Sequence, residues 1–318
     1  MRFGFIGDIL RWLLDLIYSI IPNYGVAILI FVLIIRVCIM PLEVKSRRGM
    51  KRMQEFQPKI DELNKKYAND KERLNQKMSD LYKKEKISPM SGCLPMLLTF
   101  PILFAMFAVM REVANEKTVE MILNIKAALT AGNTEYQPVL EGFLWIKNVF
   151  QPDSFMSTVV PAANEQAMMG VSAFGALTQE MIDEAKAFLL TAEYADWAAA
   201  YGNSTVYSAP MLMWTISVPK NFNGWFVLPV LSALTQFVAT QLMNTTNPTP
   251  SNSQQNSSQQ MMKWFFPLFS LWICATSNAG FALYWVFANI IQVFQQIAIN
   301  KWISYTDSKK KLIEEAGK

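Results

Sequence analysis

The sequence has no histidine and only three cysteines, Cys38, Cys93 and Cys274. The absence of histidine removes the most common general base and metal ligand. The cysteines lie in apolar segments without C-x-x-C spacing, a pattern typical of buried small side chains rather than of disulfides or metal sites. A phosphate-binding glycine loop, a G-x-S-x-G motif and an acidic metal cluster are also missing from the sequence. We therefore expect a protein that is not an enzyme and uses no cofactor.

Charge is scarce as well. Charged residues make up 17% of the chain, against about 25% in soluble proteins. Hydrophobic residues reach 52%, with 21 Phe, 9 Trp and 19 Met, and the mean hydropathy is +0.17. The apolar residues come in blocks rather than in repeats, which excludes disorder, collagen and coiled-coil arrays. The composition predicts an all-α integral membrane protein.

The apolar blocks are long enough to be membrane spans. A helix crosses the bilayer core with about 20 apolar residues. Five segments reach or approach this length: 24–42, 93–110, 225–243, 261–276 and 281–299. The fourth is marginal, because it is short and contains Lys263 and Pro267. Only Ser277 to Gly280 separate it from the fifth, so the last two segments are predicted to form a transmembrane hairpin.

The charges between the spans predict the orientation. Residues 44–90 contain fourteen basic and seven acidic side chains, a net charge of +7, whereas residues 112–222 contain five lysines and twelve acids, a net charge of −7. Positive charge marks cytoplasmic segments. We therefore place 43–90, a flexible linker 244–260 and a basic tail 300–318 in the cytoplasm. The amino terminus and the segment 112–222 are then extracytoplasmic.

Residues 1–22 are predicted to form an amphipathic helix on the outer membrane surface. Asp8, Arg11 and Asp15 share one helical face, and apolar side chains cover the rest. A cleaved signal peptide would have an uncharged core and a small-residue cleavage site, and neither is present. An uncleaved membrane anchor remains the alternative, although three charges would then enter the bilayer.

Arg36 is the outstanding charge within a span. It lies seven residues before Glu43, or about 10 Å inside the cytoplasmic boundary of the first span. An arginine at such a depth costs roughly 2.5–3.5 kcal/mol unless water or polar groups meet it. It could extend its side chain to the cytoplasmic interface, or it could face a water-filled cavity. Because the spans contain no acidic residue, we expect its charge to be available to a ligand that enters.

Polar stripes on two other spans could line such a cavity. The third span carries Ser232, Gln236 and Thr240 at helical spacing, with Thr235 beside them, and the fifth carries Trp285, Asn289, Gln292 and Gln296. Such side chains often only join helices together, and that interpretation suits Ser232 or Thr235 alone. Taken with Arg36, the two stripes favour a shared polar groove for a substrate.

The cytoplasmic segment 43–90 is predicted to be a helical hairpin. An apolar stripe runs from Met50 to Tyr67, Pro58 should break or kink the first helix, and Asn69 with Glu72 resembles a capping box for the second. Its outside is basic, which suits either a solvated surface or a docking site for anionic lipid, ribosomal RNA or a protein. The candidate docking residues are Arg47, Arg48, Lys51, Arg52, Lys59, Lys65 and Lys66.

Several short motifs, in this order and spacing, resemble those of the YidC membrane protein insertases and their oxidase-assembly and chloroplast albino relatives. They include Ile34-Ile35-Arg36, Met40-Pro41-Leu42, Gln57-Pro58-Lys59-Ile60, Leu81-Tyr82-Lys83, Gly92-Cys93-Leu94-Pro95 and Leu283-Tyr284-Trp285. The resemblance covers roughly residues 24–153 and 224–302. A segment at about 161–209, with a helix predicted over 178–201, looks inserted between family segments. We expect the Gram-positive type, without the large outer domain and extra first helix of Gram-negative relatives and without the lipid-modified cysteine of many Gram-positive members.

The resemblance implies a five-helix core around a hydrophilic groove that opens to the cytoplasm and to lipid, in a bacterial plasma membrane. The family's functional arginine corresponds to Arg36 and its groove threonine to Thr235. The implied partners are nascent membrane proteins with one or two spans, the ribosome, the Sec translocon or a targeting receptor, and anionic lipid. DNA is not expected as a partner, and the protein would work as a monomer. From the residues alone, a small-anion transporter using Arg36 and a non-catalytic assembly factor remain alternatives.

Overall fold

The computed structural model describes residues 4–85, 94–173, 175–211, 214–246 and 253–316. Cys93, where the second predicted span begins, lies outside these residues. The described chain is mostly helical, as the composition predicts. The helices are α1 (Gly4–Ile20), α2 (Tyr24–Glu55), α3 (Gln57–Lys66), α4 (Lys71–Lys84), α5 (Leu94–Thr130), α6 (Gln179–Leu189), α7 (Ala192–Ala198), α8 (Val227–Thr246), α9 (Ser253–Thr276) and α10 (Ala279–Ala316).

Two of the described helices are long and apolar enough to cross a membrane. The first is α2, whose most apolar stretch has a mean hydropathy of 2.7, and the second is Ala279–Lys309 within α10, at 1.4. The shorter helical stretch Val227–Met243 of α8 is also apolar. These three coincide with the first, fifth and third predicted spans, so the fold class is that of a predominantly helical protein with candidate membrane spans.

The chain divides into two compact units. The first consists of Met1–Val32, Phe104–Ala233 and Phe269–Phe287, and the second of Leu33–Leu103, Leu234–Leu268 and Ala288–Lys318. The first unit contains the acidic segment, and the second contains the basic hairpin and Arg36.

A separate hydrophobic core lies in the acidic segment of the first unit. Side chains from the second half of α5, including Ile122 and Ile125, are buried with Tyr194 and Trp197. The helix predicted over 178–201 is in fact two, because α6 ends at Leu189 and Thr191 caps α7 by accepting a hydrogen bond from the Tyr194 amide. Thr191 also donates to the Phe188 carbonyl. The insertion therefore folds onto α5 rather than forming one straight helix.

A network of buried amides fastens the loops of the first unit. Asn148 and Asn223 are fully buried, and the Asn223 side-chain amide donates to the carbonyls of Asn148, Gln151 and Pro152 at 2.9–3.1 Å. The backbone amide of Asn148 in turn donates to Asn223 Oδ1 at 2.8 Å. Because buried polar groups are stable only when they are hydrogen-bonded, this network fixes the two loops to each other.

Asp153 caps the amino terminus of α8. Its Oδ2 accepts hydrogen bonds from the Leu228 amide at 2.7 Å and from Trp145 Nε1 at 3.3 Å. A negative charge at this end of a helix is favourable because the first amides have no partner within the helix. A Cβ atom on Gly224 would lie 2.0 Å from Asp153 Oδ1, so only glycine fits at that position.

The first unit also contains a β-hairpin that the sequence did not predict. Strand β1 (Thr205–Met211) pairs antiparallel with β2 (Trp214–Pro219), with Met211 opposite Trp214 at the far end. The register shifts between Thr205 and Tyr207. The all-α prediction therefore misses these two strands.

Helix α1 belongs to the first unit and buries the apolar side chains of Leu10, Leu14 and Ile17. Arg11 forms ion pairs with Asp15 at 2.7 Å and with Glu116 of α5 at 2.9 Å. Phe5 and Trp12 are exposed on the other side. The helix is amphipathic, as predicted, and the ion pair between Arg11 and Glu116 joins it to α5.

The basic hairpin of the second unit has the predicted break near Pro58. Helix α2 ends at Glu55 and α3 begins at Gln57, because a proline is tolerated in the first turn of a helix but not in its interior. The cap of α4 is Asp70, one residue beyond the expected Asn69, and its Oδ1 accepts from the Arg73 amide at 3.0 Å.

Two helices of the second unit extend beyond the predicted spans. Helix α9 begins at Ser253, so part of the predicted flexible linker 244–260 is helical. Helix α10 continues through the predicted tail to Ala316. Polar residues at a span's end can continue the same helix, which hydropathy alone does not detect.

Candidate functional site

Arg36 lies in a cluster of polar side chains from α2 and α10 in the second unit. Only 8% of the residue is exposed. Its Nη2 donates to Gln292 Oε1 at 3.0 Å, and its Nη1 lies 3.3 Å from Glu43 Oε1. The stripe predicted on the fifth span thus contributes Gln292 to the arginine. Hydrogen bonds from a charged donor are the strong ones, so Gln292 fixes the direction of the guanidinium.

Glu43 is the partner that the sequence analysis missed. The predicted spans contain no acid, and Glu43 lies just beyond the first, at position 43. The side chains of Arg36 and Glu43 extend toward each other along α2 and together bridge about two helical turns. The charge of Arg36 is therefore paired in this structure rather than free. Arg47, one further turn along α2, also interacts electrostatically with Glu43.

Gln295 is a second residue that the polar stripes did not identify. Its Nε2 donates to the backbone carbonyl of Arg36 at 3.0 Å. Pro41 lies within the same helix and has no amide hydrogen, so the helical ladder is interrupted close to this carbonyl. Gln292 and Gln295 together hold both the side chain and the backbone of Arg36.

The other polar groups of the second unit join α8 to α10. Asn289 Nδ2 donates to Thr235 Oγ1 at 3.3 Å. Gln236 and Thr240 lie one turn apart on α8, and Thr240 donates its hydroxyl to the Gln236 carbonyl at 2.8 Å. Asn289 and Gln296 are buried, whereas Thr235, Gln236 and Thr240 are partly exposed. We call Arg36, Glu43, Thr235, Asn289, Gln292 and Gln295 the polar cluster.

Two predicted groove residues belong to the first unit and have local contacts there. Ser232 is fully buried and donates to the carbonyls of Pro229 at 2.7 Å and Ser270 at 3.1 Å. It thus joins α8 to α9, which is the structural role that suits this residue alone. Trp285 packs in an aromatic group with Phe269 and Phe281, with ring centroids 6.4 and 5.6 Å apart.

The polar cluster offers binding chemistry. A guanidinium, several amides and a hydroxyl supply donors to an anionic or polar segment, and Glu43 supplies a competing carboxylate. Within the described ranges, no group of three or more Cys, Asp and Glu residues is placed to hold a metal ion. The arrangement offers hydrogen-bond donors and one carboxylate acceptor to polar or anionic groups.

The basic hairpin of the second unit is tied to the end of α10. The Arg48 guanidinium lies over the Trp302 ring at 4.9 Å, and Lys51 pairs with Asp307. These contacts use two of the seven candidate docking residues to hold the base of the hairpin. A third, Lys59, lies 3.8 Å from Glu85 of the hairpin and 5.1 Å from the Phe56 ring.

The other four candidate docking residues differ in their exposure. Arg52, Lys65 and Lys66 are exposed, and Arg47 is half-buried. A shallow cavity of about 600 Å³ lies between α3 and α4, lined by Asn64, Leu74, Asn75, Met78, Ser79, Tyr82 and Lys83. Apolar side chains of α4 therefore stay accessible beside positive charge.

The chain matches known proteins over most of its length. Residues 16–308 match the family described as 60Kd inner membrane protein. Relatives named membrane protein insertase YidC include those of Treponema denticola and Rickettsia massiliae, and both are 29% identical to this chain. The matches cover 92% and 91% of this chain, respectively, and 37% of each relative. The Marinomonas relative of that name is 27% identical over 92% of this chain and 35% of its own length.

The chain thus spans a little over a third of the length of the curated relatives that it matches. The family match covers more than nine-tenths of this chain, including the polar cluster and the basic hairpin. The chain therefore belongs to the family that its motifs indicated, the YidC membrane proteins described as 60Kd inner membrane protein.

Proposed function

We propose that the protein is a membrane protein insertase, which moves short hydrophilic segments of nascent membrane proteins outward while their apolar segments enter lipid. The observation that carries this proposal is the buried guanidinium of Arg36, held by Gln292 and Glu43 on helices long enough to cross a membrane. The names of the relatives support it, since those proteins are membrane protein insertases.

The physical task is desolvation. Transfer of a polar group from water into hydrocarbon without a hydrogen-bond partner costs roughly several kcal/mol of free energy. In the proposed arrangement, five spans surround a wet groove that opens to the cytoplasm, and the amino terminus lies outside. The groove shortens the dry path across the bilayer. Arg36, Thr235 and Asn289 then offer hydrogen bonds to the segment in transit.

Glu43 gives this arrangement a resident counter-ion. An unpaired arginine inside a bilayer is costly, and the Glu43 carboxylate lowers that cost while the groove is empty. An acidic residue near the amino terminus of a substrate would replace Glu43 on the guanidinium. Such an exchange of one carboxylate for another keeps the number of paired charges constant. This exchange favours the binding of acidic substrate segments and also allows their release.

The sequence and the basic hairpin support proposals for the source of free energy for insertion and for the binding partners. Without a nucleotide-binding motif in the sequence, the free energy would come from burial of apolar substrate helices in lipid and from the membrane potential. The accessible basic residues Arg52, Lys65 and Lys66, with the apolar cavity beside them, suit ribosomal RNA, the Sec translocon, a targeting receptor or anionic lipid. The protein would act as a monomer in the bacterial plasma membrane.

Photocrosslinking of stalled nascent chains tests the proposal. A photoreactive amino acid at Thr235, Asn289 or Arg36 should crosslink to a single-span substrate whose acidic tail has not yet crossed the membrane. The matched control is Val37, which neighbours Arg36 but is 55% exposed on the other side of α2. Equal crosslinking from Val37 and from the polar cluster would contradict a groove at this place.

A further inference from the structure

The β-hairpin of the first unit has an unusual composition for its surroundings. No charged residue occurs between Asp196 and Lys220, although residues 112–222 as a whole carry twelve acids. Within Thr205–Pro219 the chain is rich in Val, Met, Trp and Ile. Edge strands in water are normally protected by charges, especially lysine. The hairpin lacks this protection on both strands.

The base of the hairpin is fixed close to the start of α8. The Lys220 amide donates to the Ser204 carbonyl and the Asn221 amide to the Gly202 carbonyl, both at 2.9 Å. Two residues later, Asn223 is held in the buried amide network. The first residue of α8, Val227, comes four positions after Asn223, which is at most about 14 Å of chain. The hairpin is therefore anchored near the end of a predicted span.

The described side chains of β1, from Thr205 to Ser208, are exposed, whereas Ile216 and Val218 of β2 are half-buried. Val206 is 69% exposed and Tyr207 is 60% exposed, although they are consecutive residues of one strand. The register shift at this point lets both side chains face outward. An isolated two-stranded hairpin is at best marginally stable in water. Thr205–Pro219 also contains no Gly, Asn or Asp, the residues that favour tight hairpin turns.

We infer that this hairpin lies in the interfacial layer of the lipid bilayer, beside the start of α8. The leaflet is the one that faces the acidic segment 112–222. Tyr and Trp prefer this layer because they present an apolar body and a polar tip. The strands span about 20 Å, enough to reach the interface from their anchored base. Unpaired strand edges are not tolerated in hydrocarbon, so the hairpin stays at the depth of the headgroups and upper acyl chains.

An environment-sensitive probe tests this placement. The full chain without its native cysteines (Cys38→Ser, Cys93→Ser, Cys274→Ser) is placed in nanodiscs of phosphatidylcholine and phosphatidylglycerol, where both faces are accessible. A single cysteine at Val206 or Ser217 is labelled with a nitrobenzoxadiazole dye. The matched control is Glu180→Cys, because Glu180 is exposed on α6 of the same unit.

The expected result at Val206 and Ser217 is blue-shifted emission, with iodide quenching at least about threefold weaker than at Glu180. Lipids carrying a nitroxide near the headgroup should quench both hairpin probes and spare Glu180. Iodide quenching as strong as at Glu180 would place the hairpin in water and overturn the inference. Protection from both quenchers would also overturn it, since the hairpin would then be covered by protein, including a second copy of this chain.

A charge variant keeps the test informative if one labelled position disturbs the strands. With the probe at Ser217, Val206→Asp should increase iodide quenching because a carboxylate is expelled from the apolar layer, whereas Val206→Leu should leave it unchanged. If Val206→Asp and Val206→Leu give the same quenching, residue 206 does not lie against lipid. None of these measurements depends on insertase activity, so they can fail while the proposed function holds.

Discussion

Arg36 and Glu43 form an ion pair along one face of α2, with Nη1 3.3 Å from Oε1 and only 10% and 17% of the two side chains exposed. The pair spans about two helical turns, so the guanidinium extends from its own depth toward the cytoplasmic end of the predicted span. Of the two possibilities that the sequence left open, the structure shows the extension toward the interface, and a water-filled cavity stays a prediction. The side chain of Arg36 reaches toward the interface and also meets polar groups from α10.

Removal of the resident carboxylate should favour acidic substrates. In Glu43→Gln, Arg36 keeps its charge and loses its competing partner, so crosslinking of an acidic-tailed nascent chain to Asn289 should rise roughly two- to fivefold. The control Glu55→Gln removes an exposed acid near the end of the same helix and should have no effect. A fall in crosslinking for Glu43→Gln would mean that Glu43 positions Arg36 instead of competing for it.

Loss of the Gln292 side chain should slow insertion while leaving the arginine in place. Gln292→Leu removes a hydrogen bond to a charged group, worth about 1.5–3 kcal/mol when fully buried and less here because Gln292 is partly exposed. We expect insertion of an acidic-tailed substrate to slow about three- to tenfold, measured in proteoliposomes. Asn300→Leu makes a matched change farther along α10. If the two variants slow insertion equally, the hydrogen bond is not responsible.

The polar cluster was partly predictable from helical spacing. Residues three or four apart share a helix face, so the sequence correctly grouped Asn289 with Gln292, which the structure places toward Thr235 and Arg36. Spacing does not report how far a long side chain reaches, which is why Glu43 was missed. It also could not separate Ser232, which bonds to the Ser270 carbonyl, from residues that line a groove.

The acidic segment was predicted less completely. Its core depends on contacts between α5 and residues some sixty positions later, which no local pattern encodes. The β-hairpin was missed although β2 alternates apolar and polar residues from Trp214 to Val218, because Thr205–Pro219 contains no Gly, Asn or Asp to indicate a turn. The role of Asp153 as the cap of α8 depends on a contact across 75 residues, which no local pattern encodes.

Removal of the Asp153 side chain should lower stability. Asp153→Ala leaves the Leu228 amide at the start of α8 without its acceptor, at a cost of about 0.5–2 kcal/mol, and the melting temperature should fall by roughly 2–4 °C. Thermal unfolding in detergent measures this. Asp183→Ala removes an exposed acid of α6 and is the matched control. An equal shift in both variants would show that the cap contributes nothing.

The contact between Arg48 and Trp302 should protect the base of the basic hairpin. In Trp302→Ala the loss of a cation–π contact of about 0.5–1 kcal/mol should speed tryptic cleavage within residues 47–52 about two- to fivefold. Tyr305→Ala, a more exposed aromatic on the same helix, should not change the rate. Unchanged cleavage in Trp302→Ala would show that α10 does not restrain the hairpin.

The most direct test of the account is reconstituted insertion by the purified protein with Arg36 changed. A single-span substrate with an acidic tail is compared with the same substrate carrying a neutral tail, using wild type, Arg36→Lys and Arg36→Ala. The account predicts that Arg36→Ala slows insertion of the acidic-tailed substrate far more than that of the neutral one, and that Arg36→Lys restores much of the rate. Insertion of the acidic-tailed substrate by Arg36→Ala at the wild-type rate would contradict it.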